Sequence, residues 1–214
     1  MAKYVYFKIP KCAGTTIVHT INGVTHQREK EVFRDDNNAV IGDSSGFFWN
    51  GKTRPYFYTD IKRANIDDWF KFAFIRNPYD RYMSLYAYCK RERWIPEELS
   101  HDDFLELINN VLKDKSKHTF EIDRIRNHAV PMYLFVCEDE KIKMDFIGKF
   151  ENLEKDIKYV CEKLDKPTPE RILHYNRSST KNYKTYYSEE LAKKVYDFYE
   201  KDFLIFGYNK NSWK

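Results

Sequence analysis

The sequence predicts an α/β fold, in which a central parallel β-sheet of the P-loop type is flanked by helices in a three-layer α/β/α arrangement. Two short segments carry this prediction. One is the mainly apolar stretch at positions 4–9, in which Lys8 is the exception, and the other is the apolar run at 72–75; each stops abruptly and leads into a helix start. Continuous apolar runs of this length are typical of strands buried on both faces, as they are in parallel sheets.

The length and composition of the chain limit the number of domains and the classes of function. A chain of 214 residues with 42% hydrophobic content fits one folded domain, which we take as residues 1–214. A net charge of +4 with both signs interspersed disfavours a nucleic-acid binder. We expect neither a membrane span nor a signal peptide, because no apolar run has membrane-spanning length and the first predicted strand lies close to Met1. The four cysteines form no C-x-x-C pair, so we expect thiols in a reducing, cytoplasmic setting.

The first apolar run leads into a turn suited to an anion. Pro10 ends the strand, and the small residues Ala13 and Gly14 let backbone N–H groups approach a ligand closely. A helix then begins, whose N-terminal dipole favours negative charge, and Lys11 adds a full positive charge. The candidate phosphate-binding residues are Lys11, Cys12, Ala13, Gly14, Thr15 and Thr16.

The spacing of this turn differs from that of nucleotide triphosphatases. In the Walker pattern G-x-x-x-x-G-K-[ST] the lysine follows the last glycine, whereas here Lys11 precedes Gly14. A P-loop kinase would also need a magnesium-binding carboxylate. A kinase therefore stays an alternative, as does a non-catalytic adenine-nucleotide-binding module, which would tolerate the loss of Lys11. An ordinary turn with an incidental lysine is the remaining interpretation.

A second junction follows residues 72–75. Arg76 ends the run, Asn77 is placed to cap a helix, and Pro78 fits its first position because the missing N–H needs no partner there. Asp80 lies in the first turn, where the helix dipole favours a carboxylate. In open α/β sheets ligands bind at the carboxyl ends of strands, so we expect Arg76 and the turn around Lys11 to form one pocket.

Both junctions resemble motifs of one enzyme family. The string PKCAGTT resembles the 5'-phosphosulfate loop of sulfotransferases that use 3'-phosphoadenosine 5'-phosphosulfate (PAPS). Arg76 and Ser84 resemble their 3'-phosphate motif, an arginine after a strand and a serine eight residues on. The resemblance to the carbohydrate-type branch extends across most of the chain through the segments NHAVPMYLF, MDFIGKFENLEKDI and NRSSTKNYKTYYSEELAKKVYDFYEKDFLIFGY.

This resemblance implies a function and further site residues. It implies sulfuryl transfer from PAPS, without a metal, to the hydroxyl of a glycan or related small molecule. It also implies that Arg177 and Lys181, in the polar loop NRSSTKNY, fold over the cofactor phosphates, with a solvated loop as the alternative. Lys11 is then the residue that stabilises the charge growing on the leaving phosphate.

The base that takes the acceptor proton is less clearly marked. Relatives often carry a histidine before the arginine-bearing strand, but the matching segment here, YFYTDIKR, has none. We rank His19, one helical turn beyond Thr15, ahead of Asp60. His128 is predicted to be structural, because it lies beside an apolar run and has no acidic partner nearby in sequence.

Other elements follow from periodicity and caps. We predict helices over residues 15–23 and 101–113 and after Asn152, a strand over 144–150, and short strands at 40–41 and 56–58. Residues 113–124 are predicted to be an exposed connection.

Overall fold

The computed structural model describes residues 4–22, 32–34, 40–43, 57–61, 68–168, 172 and 182–214. Contacts group the chain into two compact units, one of residues 1–75 and 134–176 and the other of residues 76–133 and 177–214. The assignment of residues 1–214 to a single domain stays a prediction.

Short strands and helices are interspersed along the chain. In order they are β1 Tyr4–Phe7, α1 Gly14–Asn22, β2 Val32–Arg34, β3 Val40–Asp43, α2 Tyr58–Ile61, β4 Phe70–Ile75, α3 Pro78–Arg91, α4 His101–Lys113, α5 Phe120–Ala129, α6 Tyr133–Val136, β5 Cys137–Glu138, β6 Lys141–Ile142, β7 Phe146–Lys149, α7 Leu153–Lys163 and α8 Glu189–Phe206. Two 3₁₀ turns, Phe150–Asn152 and Tyr183–Tyr186, precede α7 and α8.

A parallel sheet forms the centre of the first unit. Among the described residues its strand order is β1-β4-β7, and both pairings are parallel. Phe7 of β1 pairs with Ala73, and Ile75 at the end of β4 pairs with Lys149. Since β4 lies between the other two strands, its last four residues, 72–75, are buried, as the apolar run predicts.

Helices cover both faces of this sheet. Alternate residues of a strand point to opposite faces, so Tyr6 and Phe7 face different ways. Tyr6 stacks on Phe72 with ring centroids 5.1 Å apart, in a core shared with residues of α1 and α7. Phe7 contacts Tyr58 of α2 on the other face, at 6.3 Å between centroids. This arrangement confirms the predicted α/β class with a parallel sheet between helices.

The second unit is helical, with a core formed by α3, α4, α5 and α8. The charged side chains of Arg81, with 2% exposure, and Asp202, with 0% exposure, lie inside it. Arg81 Nη2 donates to the carbonyl oxygens of His128 (2.9 Å) and Val130 (2.8 Å). Asp202 accepts the backbone N–H groups of Met132 and Tyr133, each at 2.8 Å. Buried charges are thereby satisfied by backbone groups, which avoids the cost of isolating them.

The helix predicted over residues 101–113 agrees with α4, and the cap predicted for α3 is confirmed. Asn77 accepts from the backbone N–H of Tyr79 at 3.0 Å, and Pro78 occupies the first helical position. The strand predicted over 144–150 is found as β7, and the one at 40–41 is found as β3.

Two local predictions are wrong. Tyr58 begins helix α2 instead of continuing a strand from residue 56, which lies outside the described residues. The connection predicted over 113–124 ends early, because Thr119 accepts from the N–H of Ile122 and starts α5 at Phe120. Ile125 and Ala129 bury the inner face of α5, so apolar burial outweighs the dense charge of this segment.

Candidate active site

The turn between β1 and α1 has an unusual backbone. Lys11 and Ala13 both adopt left-handed conformations, with φ values of 67° and 60°, on either side of the buried Cys12. A non-glycine residue pays about 1–2 kcal/mol for this conformation. Alternation of right- and left-handed residues turns successive N–H groups toward one side and creates a concave anion site. The strained conformation of this turn is therefore one that suits a bound phosphate.

Helix α1 continues this anion site. It begins at Gly14, its first turn carries no acidic residue, and the N–H of Ile17 donates to the Ala13 carbonyl oxygen at 3.1 Å. Thr16 is buried, whereas Lys11 and Thr15 are half-buried and lie where a ligand could reach them. The six residues predicted to bind phosphate thus form one continuous turn and helix start.

Lys8 is a second cation at the turn, and sequence reasoning missed it. Its side chain lies across Gly14: a Cβ at that position would stand 2.5 Å from Lys8 Cε and 2.8 Å from Lys8 Cγ. Burial lowers the pKa of the Lys8 ammonium to about 8. Gly14 is therefore required for a reason beyond ligand access, because only a residue without a side chain leaves space for Lys8.

The second group of predicted residues lies at the start of α3. Arg76, the residue after β4, is 6% exposed and forms a bidentate ion pair with Asp80. Its Nε donates to Asp80 Oδ2 at 2.7 Å and its Nη2 to Oδ1 at 2.8 Å. Paired, parallel hydrogen bonds of this kind fix a guanidinium in one plane.

Ser84 follows Asp80 by one helical turn and therefore lies on the same face of α3. It is 4% exposed, and its hydroxyl makes no hydrogen bond to a side chain or backbone group within the described part of the chain. A buried hydroxyl usually has a partner, so Ser84 retains the capacity to bond a ligand oxygen.

Residues near the C-terminus brace this helix start. Asn77 Nδ2 donates to Ser212 Oγ at 2.8 Å, and the Tyr79 hydroxyl donates to the Lys210 carbonyl oxygen at 2.7 Å. The Tyr183 hydroxyl donates to the Ser212 carbonyl oxygen at 3.0 Å. No short motif in the sequence marks the contacts of Asn77 and Tyr79, since each joins positions more than a hundred residues apart.

The structure does not describe the side chains of four predicted residues. Arg177 and Lys181 lie outside the described residues. His19 belongs to α1 and Asp60 to α2, but the structure describes only the backbone of these two residues. Their roles stay predictions, as does the single pocket expected from the two junctions, because the turn belongs to the first unit and Arg76 and Ser84 to the second.

His128 has the contacts of a structural residue. Its Nδ1 donates to the Arg124 carbonyl oxygen at 2.7 Å, and its ring stacks on Tyr88 with centroids 5.5 Å apart. Across the described ranges, no three His, Cys, Asp or Glu side chains gather as a metal site would require. The cysteines are all buried and none forms a disulfide.

Comparison with known proteins identifies the family. A family model described as "Sulfotransferase family" matches residues 2–209. The chain belongs to the sulfotransferase family. Within the described residues, no helix has the length and apolar character needed to cross a bilayer. The cytoplasmic location stays a prediction.

Individual sulfotransferase relatives are distant. Carbohydrate sulfotransferase 14 of Danio rerio is 29% identical over 68% of this chain and 46% of its own length. Carbohydrate sulfotransferase 10 of Xenopus laevis is 25% identical over 68% of this chain and 49% of its own. The chain thus spans about half the length of these relatives.

Two other matches have different coverage. An uncharacterized protein of Archaeoglobus fulgidus is 30% identical over 58% of this chain and 90% of its own length. A solved sulfotransferase structure from Alicyclobacillus acidocaldarius covers 96% of this chain and 94% of its own, with a TM-score of 0.45 and 16% identity. That likeness is too distant to extend the comparison.

Proposed function

We propose that this sulfotransferase family member moves the sulfuryl group of PAPS to a hydroxyl of a carbohydrate or related small molecule. The observation that carries the proposal is the turn in which left-handed Lys11 and Ala13 precede helix α1. Family membership supports the reaction class. The names of the vertebrate relatives support a carbohydrate acceptor.

The two groups of site residues match the two charged ends of the donor. The backbone N–H groups from Lys11 to Thr16 suit the 5'-phosphosulfate, because they combine a concave anion site with a helix N-terminus. Arg76 and Ser84 suit the 3'-phosphate, since a guanidinium and a hydroxyl offer several donors to its oxygens. Arg177 and Lys181 would close over these phosphates.

The reaction is an in-line displacement at sulfur. The acceptor oxygen forms a new S–O bond while the S–O bond to the 5'-phosphate breaks, and adenosine 3',5'-bisphosphate leaves. Lys11 would neutralise the negative charge that grows on the departing phosphate, which lowers the barrier. The acceptor proton passes to a base, for which His19 and then Asp60 are our candidates.

Binding is the first test of this function. In calorimetry, adenosine 3',5'-bisphosphate should bind at least tenfold more tightly than AMP, because one charge-assisted hydrogen bond contributes about 1.5–3 kcal/mol. Equal affinities would contradict a 3'-phosphate site.

Turnover is the second test. Incubation with PAPS and a panel of glycans, followed by mass spectrometry, should detect a sulfated product. Lys11→Ala should reduce the turnover rate more than it weakens bisphosphate binding, because its effect is concentrated in the transition state. Lys155→Ala, which removes an exposed lysine of α7, is the matched control and should leave both unchanged. Bisphosphate binding without any sulfated product would instead favour a non-catalytic nucleotide-binding module.

A further inference from the structure

We propose that Asp80 is the positioning residue that orients the Arg76 guanidinium and thereby sets the selectivity of the protein for a 3'-phosphate. The inference rests on the proposed function of Arg76. It assigns to Asp80 a role beyond the favourable placement of a carboxylate in the first turn of a helix.

The position of Arg76 explains why it needs such a partner. Arg76 lies between the end of β4 at Ile75 and the cap of α3 at Asn77, and its long side chain bonds to Asp80 in the first turn of that helix. An unrestrained arginine carries about 2 kcal/mol of rotamer entropy, which a ligand would have to overcome. Asp80 removes much of that freedom before any ligand binds.

The geometry of the ion pair shows which part of the guanidinium is held. Asp80 takes the Nε/Nη2 edge, through the bonds of 2.7 and 2.8 Å, and both side chains are largely buried at 7% and 13% exposure. The Nη1/Nη2 edge is the other edge of the guanidinium through which paired hydrogen bonds to a phosphate can form. Asp80 and Ser84 lie one turn apart on the same face of α3. The ion pair therefore holds the guanidinium on the side of the helix that carries the serine hydroxyl.

Charge alone predicts the opposite effect from positioning. A carboxylate beside an anion site weakens anion binding by repulsion, so removing its charge should strengthen binding. If Asp80 orients Arg76, the same removal weakens binding of the 3'-phosphate in particular. The direction of the change therefore distinguishes the two roles.

The test compares the affinities of adenosine 3',5'-bisphosphate and AMP in the full chain by calorimetry. Asp80→Asn should lower the ratio of these affinities by about tenfold while AMP affinity stays within about twofold, because AMP lacks the 3'-phosphate. In an Arg76→Ala background, Asp80→Asn should change the ratio no further, as expected of residues acting as one unit. Asp103→Asn, which removes a first-turn carboxylate from α4, is the matched control and should leave the ratio unchanged.

The outcomes separate this inference from the proposed function. If the wild type does not prefer the bisphosphate, the proposed role of Arg76 is wrong and the inference falls with it. If the wild type prefers it and folded Asp80→Asn keeps or increases the preference, only the inference is overturned. If Asp80→Asn does not fold, Asp80→Glu decides: it retains the charge but shifts the carboxylate by one methylene, so an undiminished ratio would overturn the inference.

Discussion

Replacing Gly14 by alanine tests the structure of the phosphate turn most directly. The new Cβ would stand 2.5, 2.8 and 3.1 Å from three consecutive carbons of Lys8, so that side chain must leave its position across the turn. Lys8 can rotate away, and alanine gains up to about 1 kcal/mol of helix propensity at the start of α1. We therefore expect a small change in thermal stability but a clear loss of anion binding.

The magnitude of that loss follows from the cation that is displaced. Losing one charge-assisted hydrogen bond costs about 1.5–3 kcal/mol, which corresponds to roughly a 10- to 100-fold weaker affinity for adenosine 3',5'-bisphosphate. The midpoint of thermal unfolding should change by no more than about 2–4 °C, the shift that about 1 kcal/mol produces in a chain of this size.

Gly148 in β7 is the matched control, because an alanine there creates a clash of a different kind. Its Cβ would meet three ring atoms of Phe74 at 2.4, 2.7 and 2.8 Å, and this ring is fully buried. Overpacking of a rigid core costs up to about 3 kcal/mol, or roughly 6–12 °C in the midpoint. Affinity of the folded variant should be unchanged. If Gly14→Ala binds the bisphosphate as tightly as the wild type does, Lys8 has no part in the anion site.

Three further predictions concern stability and the base. Desolvation raises the pKa of the Asp202 carboxyl to about 6 from 3.8, so this group favours the folded state most below about pH 4, and that contribution is lost as the pH rises through about 6. In urea unfolding at several pH values, the free energy of unfolding of the wild type should fall by about 3 kcal/mol in all over this pH range, and that of Asp202→Asn should not. The same pH dependence in both proteins would contradict this prediction. Gly207→Ala places alanine at φ 67° with no atom within 4 Å of its Cβ, and backbone strain alone should cost about 1 kcal/mol in the same assay; an unchanged midpoint would show that the helix end relaxes. If His19 is the base, His19→Ala should remove the rise of turnover with pH near neutrality while bisphosphate affinity stays intact, whereas a folded, inactive Asp60→Asn beside an active His19→Ala would reverse the ranking.

The sequence was sufficient for the elements that local chemistry determines. Residues 72–75 form a central strand because a continuous apolar run fits burial on both faces. The start of α3 could be predicted because Asn77 and Pro78 each favour one position of a helix terminus. Local signals failed at residues 56–58, where three residues are too few to separate a strand from a helix. They failed again at α5, where charged residues obscure a short apolar stripe.

The candidate site was predictable to a similar extent. The turn residues could be predicted because their small size and charge are themselves the chemistry of anion binding. Lys8 could not, since its contact with Gly14 arises only when the chain reverses after β1. The pairing of Arg76 with Asp80 had a signal, the spacing of four residues, but interpretation of Asp80 as a helix-dipole residue concealed it. Ser212 and Lys210 reach α3 through tertiary folding, which no local pattern encodes.

The left-handed residues of the turn have a consequence for engineering this protein. Glycine at position 11 or 13 would relieve about 1 kcal/mol of strain at each site, so a selection for heat resistance alone would favour glycine there. At position 11 the same substitution would delete the cation that we assign to the leaving phosphate. A library screened only for survival at high temperature would therefore enrich inactive variants at this turn, and selection should include a nucleotide-binding step.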